Sequence, residues 1–308
     1  MRGQYNICGR GKYNRCPAGG VQRPFIHCEI RCAAILRGAC ARAALIESSK
    51  YEGTSLRMTA IDVFMAFPHP QREATFLRRP QRFLAEMHLP DGTAELVYCA
   101  NSGAMTGCLT PDRAALLWES ADMKRKLRYT WRAVEFEGIW IGTDTHLSNR
   151  IIEEALRLKL IPSFESYSAV AREKLVESGF RIDFVLSGSM GDCLVEVKSC
   201  AIVENGVARY PDSPTPRGVK HLKALTRQVI EGTRAVLILL VQREDAYSFQ
   251  ISNSFDPAYA AAFDEAVAAG VEVIALAVSV CPAGFGKPRI LPYVQELMVA
   301  MKTNGDSN

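Results

Sequence analysis

Two hydrophobic periods follow one another along the chain and predict two kinds of structure. Between about residues 74 and 142, apolar and polar positions alternate in short runs, the pattern of strands with one buried face. Pro90-Asp91-Gly92 separates two of these runs and predicts a hairpin, because Pro presets φ and Gly accepts the positive φ of a tight turn. About five strands in about 70 residues predict a small barrel. The predicted strands span residues 82–89, 94–99, 114–119, 126–136 and 139–141.

A helical period begins after this region. Asn149 is a suitable N-cap, and the apolar positions that follow predict an amphipathic helix that ends before Pro162. The nearly continuous apolar run at 234–242 is typical of a strand buried on both faces. The order of the elements predicts an α/β domain around a mixed sheet. Its predicted strands span 181–186, 193–200, 234–242 and 271–280, and its predicted helices span 216–231 and 257–269.

These elements predict a two-domain fold of the α+β or α/β class. The predicted parts are a leader at 1–64, a barrel at 65–145, a connecting helix at 146–162 and the α/β domain at 163–308. The length of 308 residues agrees with two domains, each large enough to bury its own core.

The net charge of +4 comes from the leader rather than from the two domains. Residues 1–64 contain ten basic and four acidic residues and five of the ten cysteines, whereas the remaining chain contains 27 basic and 29 acidic residues. We therefore do not take the basic balance as a sign of nucleic-acid binding. We interpret the leader as a flexible arm, or as a stretch upstream of a true start at Met58 or Met65. An organellar transit peptide and a zinc site with His27 are weaker alternatives.

The location predicted for the protein is the cytoplasm. The chain contains no run of about 20 apolar residues and no apolar block near its start, so we expect neither a membrane partner nor a secretory signal. The five cysteines outside the leader are scattered singly, as is typical of reduced, buried thiols. The sequence leaves the oligomeric state open, and a dimer agrees with it.

Two carboxylates and a lysine form the first candidate site. Glu196 and Lys198 alternate along one predicted strand and point the same way, and Asp183 lies on the neighbouring strand. Asp183 and Glu196 are suitable ligands for Mg²⁺ or Mn²⁺, and Lys198 is suited to stabilising developing charge. Glu173 adds a third acid if its segment is the first arm of a hairpin rather than a helix end. A solvated strand face is the alternative interpretation.

Basic residues form two further candidate sites, both suited to phosphate. Arg217, Lys220 and His221 lie in the first turns of a predicted helix, where cations oppose the helix dipole unless an anion is bound. The second site is a basic run that includes Lys124, Arg125 and Lys126, interleaved further on with Tyr129 and Trp131. Those two aromatics either stack on bases or form barrel core.

Taken together, these segments resemble the sugar fermentation stimulation protein A family over about residues 75–277. The segments that carry the resemblance are 79–85 (with Arg79 and Arg82), 101–107, 124–126, 181–184, 196–199, 210–212 and 215–222. The resemblance implies an OB-like β-barrel followed by a mixed-sheet α/β domain similar to the PD-(D/E)xK nucleases. It also implies DNA binding and a regulatory link to sugar metabolism, notably that of maltose.

The resemblance assigns roles to individual positions. Asp183, Glu196 and Lys198 match the nuclease motif, with Glu173 as an added acid, whereas the literal Pro211-Asp212 follows Glu196 and is not part of that motif. The chain departs from the family at Ser102 and Ala104 in the polar loop, which puts a phosphate contact there in doubt. The turn after Glu173 is altered as well, so Glu173 is less secure than Asp183.

Two functions follow as expectations. The first is a DNA-binding protein, largely independent of base sequence, with a regulatory role in sugar metabolism. The alternative is a Mg²⁺- or Mn²⁺-dependent endonuclease that uses Asp183, Glu196, Lys198 and Glu173. Either function uses a basic surface, for which the expected DNA contacts are Arg79, Arg82, Lys124, Arg125, Lys126, Arg217, Lys220 and His221.

Overall fold

The computed structural model describes residues 63–177 and 180–294, and the leader prediction for residues 1–64 falls almost entirely outside them. The described residues belong to one unit, and strands are its commonest element. The strands before the first helix are β1 (Val63–Ala66), β2 (Gln71–Gln81), β3 (Leu84–His88), β4 (Ala94–Tyr98), β5 (Arg113–Glu119), β6 (Tyr129–Phe136) and β7 (Ile139–Gly142).

Strands β2 to β7 form the predicted barrel, with the order β4-β3-β2-β5-β6-β7. A parallel pairing of Tyr98 with Thr130 joins β4 to β6 and closes the sheet on itself. Phe76 stacks on Trp131 inside it, with ring centroids 4.9 Å apart, and both side chains are fully buried. Tyr129 is buried as well, so the two aromatics are barrel core and are not available for base stacking.

Two boundaries in this region differ from the sequence prediction. Strand β6 begins at Tyr129 rather than at residue 126, so the basic run 124–126 lies in the loop before it. Strand β1 lies outside the barrel and pairs antiparallel with the segment Gly284–Gly286 near the other end of the described chain.

The part of the chain after the barrel contains all three α-helices that the structure describes, and α1 begins where the predicted connecting helix begins but ends at Arg157. Asn149 is not an N-cap, because α1 begins at His146 and Asn149 lies within its first turn. The elements are α1 (His146–Arg157), a 3-10 turn (Pro162–Phe164), β8 (Tyr167–Glu177), β9 (Phe180–Gly188), β10 (Gly191–Cys200), β11 (Ile202–Glu204), β12 (Val207–Tyr210), α2 (Pro216–Ile230), β13 (Arg234–Val241), β14 (Ser248–Ile251), α3 (Pro257–Ala269), β15 (Glu272–Ala277), β16 (Val280–Cys281), β17 (Gly284–Gly286) and β18 (Arg289–Leu291).

A mixed six-stranded sheet organises this half, with the order β18-β15-β13-β10-β9-β8. Strands β10, β13 and β15 are parallel, and the other pairings are antiparallel. Helices α2 and α3 cover one face with residues such as Leu222 and Leu225, and α1 covers the other with Ile151 and Ile152. Strand β13 is buried along almost its whole length, as its apolar run predicts.

Strands β8 and β9 form a hairpin, which decides between the two interpretations of the segment around Glu173. This segment is a strand and not a helix end. The smaller sheets β11-β12-β14 and β1-β17-β16 complete the fold. No helix in the described ranges is both long and apolar enough to cross a membrane.

Candidate metal centre

The centre forms where β9 and β10 stop pairing. Their antiparallel ladder runs from Gly191 opposite Gly188 to Val195 opposite Phe184 and ends there. Asp183 and Glu196 are the next residue on each strand, so both carboxylates lie at the point where the strands separate. The backbone N–H of Val197 donates to Asp183 Oδ2 at 2.8 Å, and this bond stands where the next rung of the ladder would be.

Asp183 is a half-buried carboxylate held from two sides. Its Oδ2 accepts from the Val197 amide, and its Oδ1 accepts from Asn149 Nδ2 at 2.8 Å. Burial raises the pKa of Asp183, and the nearby Glu196 carboxylate raises it further. A second positive charge beside this pair would relieve both effects.

Glu196 is almost completely buried, with 2% of its surface exposed, and only one of its oxygens is satisfied. Oε1 accepts from Lys198 Nζ at 2.5 Å and from His221 Nδ1. Burial alone would raise the pKa of Glu196, but the Lys198 ammonium and His221 outweigh it and hold the pKa below its ordinary value. Oε2 is buried without a hydrogen-bond partner. Burying an ionised carboxylate oxygen without a hydrogen-bond partner costs free energy of folding, and a ligand bound at Oε2 would offset that cost.

His221 belongs to this centre, whereas the sequence grouped it with the DNA contacts. Arg217 Nε donates to His221 Nε2 at 3.3 Å, so Nε2 is the acceptor of the ring and Nδ1 carries the hydrogen that Glu196 receives. Lys198 Nζ lies 3.3 Å from the same Nδ1. The edge of the ring packs against Phe180, at 5.2 Å between centroids. His221 therefore fixes the Oε1 side of Glu196 and leaves Oε2 for another partner.

The donors present fit a hard divalent cation. Asp183 and Glu196 supply carboxylate oxygens, which Mg²⁺, Mn²⁺ and Ca²⁺ prefer, and the orphaned Oε2 supplies an unused lone pair. Magnesium keeps several waters in most protein sites, so two carboxylates are a sufficient anchor. Across residues 63–177 and 180–294 no group of three or more His, Cys, Asp and Glu side chains assembles a fuller metal cage.

Glu173 lies on β8 between Arg172 and Lys174, which pair with Phe184 and Ile182 on either side of Asp183. Its side chain is exposed on β8, its backbone has φ near 52°, and its carbonyl oxygen accepts from Arg181. Since the described residues contain no three-acid group, the role of Glu173 stays a prediction.

Asn149 is a site residue that the sequence did not reveal. Its amide contacts Asp183 because α1 begins at His146 and turns this position toward the sheet. In the sequence, Asn149 is a polar residue beside an apolar helical stripe. An N-cap residue has the same pattern, so the sequence does not separate the two roles.

Most of the predicted DNA contacts are exposed cations. Arg82, Lys124, Lys126, Arg217 and Lys220 all have exposed side chains, the first three on the barrel and the last two in the first turns of α2. The α2 N-terminus is capped by Thr215, which accepts from the amide of Gly218.

Arg125 is half-buried and makes specific contacts. Its guanidinium carbon lies 5.7 Å from the Tyr98 ring centroid and 5.3 Å from that of Trp118, and Nη2 donates to Thr130 Oγ1 at 2.8 Å.

Arg79 has a structural task in the barrel. Its guanidinium donates to the carbonyl oxygens of Arg82, Asn101, Gly103 and Ala104 at distances between 2.6 and 3.3 Å. The loop 101–105 is held to β2 by this fork of bonds. DNA contact by Arg79 is untested and stays a prediction, but its donors are already engaged.

The same loop meets Asp212, the acid of the literal Pro-Asp pair. Asp212 Oδ2 accepts from the Met105 amide at 3.0 Å, and a Cβ at Gly103 would stand 2.3 Å from that oxygen. A carboxylate of the α/β domain thus occupies the position where the sequence considered a phosphate contact. A larger side chain at 103 would force the Asp212 carboxylate to move, because that carboxylate lies directly against the Gly103 backbone.

Comparison with known proteins agrees with this architecture. The family model described as "SfsA N-terminal OB domain" matches residues 77–143, and the model described as "Sugar fermentation stimulation protein RE domain" matches residues 146–284. The sugar fermentation stimulation protein homolog of Citrifermentans bemidjiense is 39% identical over 230 residues, 75% of this chain and 100% of that protein. The homolog of Rhodospirillum centenum is 42% identical over 229 residues, 74% of this chain and 98% of that protein.

A solved structure gives the same result in three dimensions. The structure of Pyrococcus furiosus SfsA in complex with Ca²⁺ superimposes with a TM-score of 0.70 at 28% identity, covering 75% of this chain and 99% of the other. The OB barrel and the mixed-sheet α/β domain predicted from the sequence are confirmed. Given the two matched domains and these relatives, the chain belongs to the sugar fermentation stimulation protein family.

Proposed function

We propose that this protein binds DNA largely without regard to base sequence and hydrolyses phosphodiester bonds with Mg²⁺ or Mn²⁺ held at Asp183 and Glu196. The observation that carries the proposal is the buried, unpartnered Oε2 of Glu196, in a centre that also contains Asp183 and Lys198. A purely structural ion pair of Glu196 with Lys198 has no need of a second buried carboxylate that raises the cost of ionisation. Pyrococcus furiosus SfsA has been solved in complex with Ca²⁺, which supports the proposal that this chain binds a divalent cation.

Each residue of the centre has a separate role in the proposed hydrolysis. A divalent cation bound here would polarise a phosphate and lower the pKa of a bound water. Asp183 and Glu196 would hold the cation, and Asn149 and the Val197 amide keep Asp183 in position. Lys198 places an ammonium beside the carboxylates, where it is suited to orienting a water or neutralising charge that develops on phosphate oxygen.

A second candidate is DNA binding without hydrolysis, and a specific observation favours it. Lys198 Nζ and His221 Nδ1 both contact Oε1 of Glu196, so the ammonium is engaged within the protein rather than free. The exposed cations in the loop 124–126 and at the start of α2 serve either candidate, because phosphate contacts do not require chemistry.

The test is incubation of the full-length chain with supercoiled, linear duplex and single-stranded DNA, with Mg²⁺, Mn²⁺ or EDTA. We expect cleavage that requires the metal and falls at least about 100-fold in Asp183→Asn and in Lys198→Met. Asp192→Asn is the matched control, because Asp192 is an exposed carboxylate on β10, and it should cleave within about twofold of the parent.

The other outcomes are equally clear. Binding without cleavage for every metal and DNA form would contradict hydrolysis and leave the second candidate. Cleavage that survives both substitutions would come from a contaminating nuclease, and the proposed centre would be wrong.

The location, the metabolic role and the partners of the protein are further expectations. We propose a cytoplasmic location, supported by five cysteines in the described ranges that are free and buried, and burial raises the pKa of the Cys108 and Cys193 thiols to about 11. A role in sugar metabolism, notably that of maltose, stays a prediction of the family resemblance. DNA is the expected partner, and the oligomeric state, including a dimer, is untested.

A further inference from the structure

Three arginines and one histidine lie where the barrel meets the start of α1, outside the metal centre. They are contributed by the loop before β6, by β6 itself and by the first turns of α1, and we call them the junction cluster: Arg125, Arg132, His146 and Arg150.

Two aromatic rings hold this cluster together. The guanidinium carbons of Arg125 and Arg132 lie 5.3 and 4.9 Å from the centroid of Trp118. Arg125 also lies 5.7 Å from the Tyr98 centroid, and the His146 ring lies 6.5 Å from the same tyrosine. Contacts of this kind hold a guanidinium in place but do not neutralise it.

The positive charge of the cluster exceeds the negative charge that the structure records against it. Asp144 pairs with Arg132 through Oδ2, and its Oδ1 accepts from the His146 amide at 2.9 Å. Burial, together with the fields of Arg150 and Arg125, lowers the pKa of Arg132 to about 10. The cluster therefore contains three arginines, and Asp144 is the carboxylate recorded in an ion pair with one of them.

Arg132 supplies a second, independent sign of a missing anion. Only 6% of its surface is exposed, and its Nε is buried without a hydrogen-bond partner. The start of α1 already receives a carboxylate oxygen, since Asp144 Oδ1 accepts from the His146 amide, so the orphaned donor of Arg132 is the observation that counts. A buried, unpaired guanidinium donor near a second arginine favours an oxyanion, and phosphate matches the fork geometry of arginine.

Helix α1 contributes to both the metal centre and the junction cluster. Asn149 donates to Asp183, and the next residue along the helix is Arg150. Arg150 and His146 are exposed, so an incoming group can reach them, whereas Arg132 is buried.

We propose that the junction cluster binds a backbone phosphate of the nucleic acid. This inference rests on the proposed function for the identity of the ligand, but the presence of a phosphate site does not. It adds His146 and Arg150 to the expected DNA surface, with the buried Arg132 as part of the same cluster.

The test measures the affinity of the full-length chain for a fluorescein-labelled DNA duplex by anisotropy in EDTA, across a series of KCl concentrations. Arg150→Gln and Arg125→Gln should each weaken binding about tenfold and reduce the slope of log K against log salt by about 0.9. Arg157→Gln is the matched control on the same helix, where Arg157 is exposed and paired with Glu154, and it should bind within about twofold of the parent.

A second arm separates the source of the phosphate. Tripolyphosphate is titrated into the same proteins by calorimetry. If the parent fails to bind DNA but binds tripolyphosphate through Arg150 and Arg125, the phosphate site stands and the proposed function fails. If the parent binds DNA and neither substitution changes affinity or salt slope, the site is wrong while the proposed function survives. Loss of tripolyphosphate binding in Arg157→Gln as large as in Arg150→Gln would also overturn the site.

Discussion

Asp183 and Glu196 share one candidate cation site but ionise under different constraints. Glu196 is stabilised as an anion by Lys198 and His221, whereas the hydrogen bonds to Asp183 come from two uncharged donors, the Asn149 amide and the Val197 backbone N–H. Burial and the charge of Glu196 raise the pKa of Asp183. The site therefore holds more negative charge than the fold alone would favour, as is common where a protein stores free energy for binding.

This imbalance predicts that Asp183→Asn stabilises the metal-free protein. A carboxyl whose folded pKa is raised destabilises the folded state once pH exceeds its unfolded pKa near 3.9, and the full loss is present above the folded pKa. Urea unfolding in EDTA at pH 7 should show a gain of about 1 kcal/mol, which disappears below about pH 3.5. Asp192→Asn should show no gain, and a destabilised Asp183→Asn at pH 7 would contradict the repulsion inferred here.

The metal centre lies where strands β9 and β10 separate, whereas the loop 101–105 is held by hydrogen bonds that converge on one side chain. The Arg79 guanidinium donates to three carbonyl oxygens of this loop and to that of Arg82, and so satisfies four backbone acceptors together. Arg79 is thus a brace for a loop that also receives Asp212 of the α/β domain. The brace positions the loop without any contribution from bound nucleic acid.

Arg79→Lys separates this bracing role from DNA contact. Lysine keeps the charge but cannot span four acceptors with a planar fork, so we expect a loss of about 1.5–3 kcal/mol in the free energy of unfolding. DNA affinity of the folded fraction should stay within about twofold. Arg78→Lys is the control, because the exposed pair of Arg78 with Glu86 contributes little. Unchanged stability with strongly weakened DNA binding would show that Arg79 is a DNA contact instead.

Local sequence patterns predicted most of the helices and strands and part of the candidate metal centre. Alternation along β10 placed Glu196 and Lys198 on one face, and the predicted helices 216–231 and 257–269 agree with α2 and α3. Strand β2 was not predicted as a strand of its own, because its 11 residues are mostly polar and only Ala74 and Phe76 are buried. The pairing of β2 with β3 and β5 defines it, and this information is not local.

The site residues that the sequence missed or misassigned depend on tertiary contacts. Asn149 reaches Asp183 only because α1 packs on the sheet, and His221 reaches Glu196 only because α2 packs on the other face. Residue type and spacing predict neither contact. Arg132, buried by Trp118 and paired with Asp144, is a further case, since a basic residue in an alternating strand predicts exposure.

The barrel and the α/β domain meet along α1 and the loop 101–105, so both domains contribute to one candidate surface. Asp212 joins the loop to the second domain, and α1 carries Asn149 at the centre and Arg150 in the junction cluster. In the proposed function, the barrel and α2 hold phosphates while the separated strands hold the cation. This division of labour requires that a divalent cation bind at Asp183 and Glu196 before any chemistry is possible.

Titration of Mn²⁺ into the full-length protein, followed by electron paramagnetic resonance of the free ion, tests that requirement most directly. We expect one Mn²⁺ site that weakens at least about tenfold in Asp183→Asn and in Glu196→Gln and is unchanged in Asp192→Asn. Circular dichroism of each variant checks that it is folded. If the parent binds no Mn²⁺, or if both variants bind it as tightly as the parent, the metal centre described here does not exist.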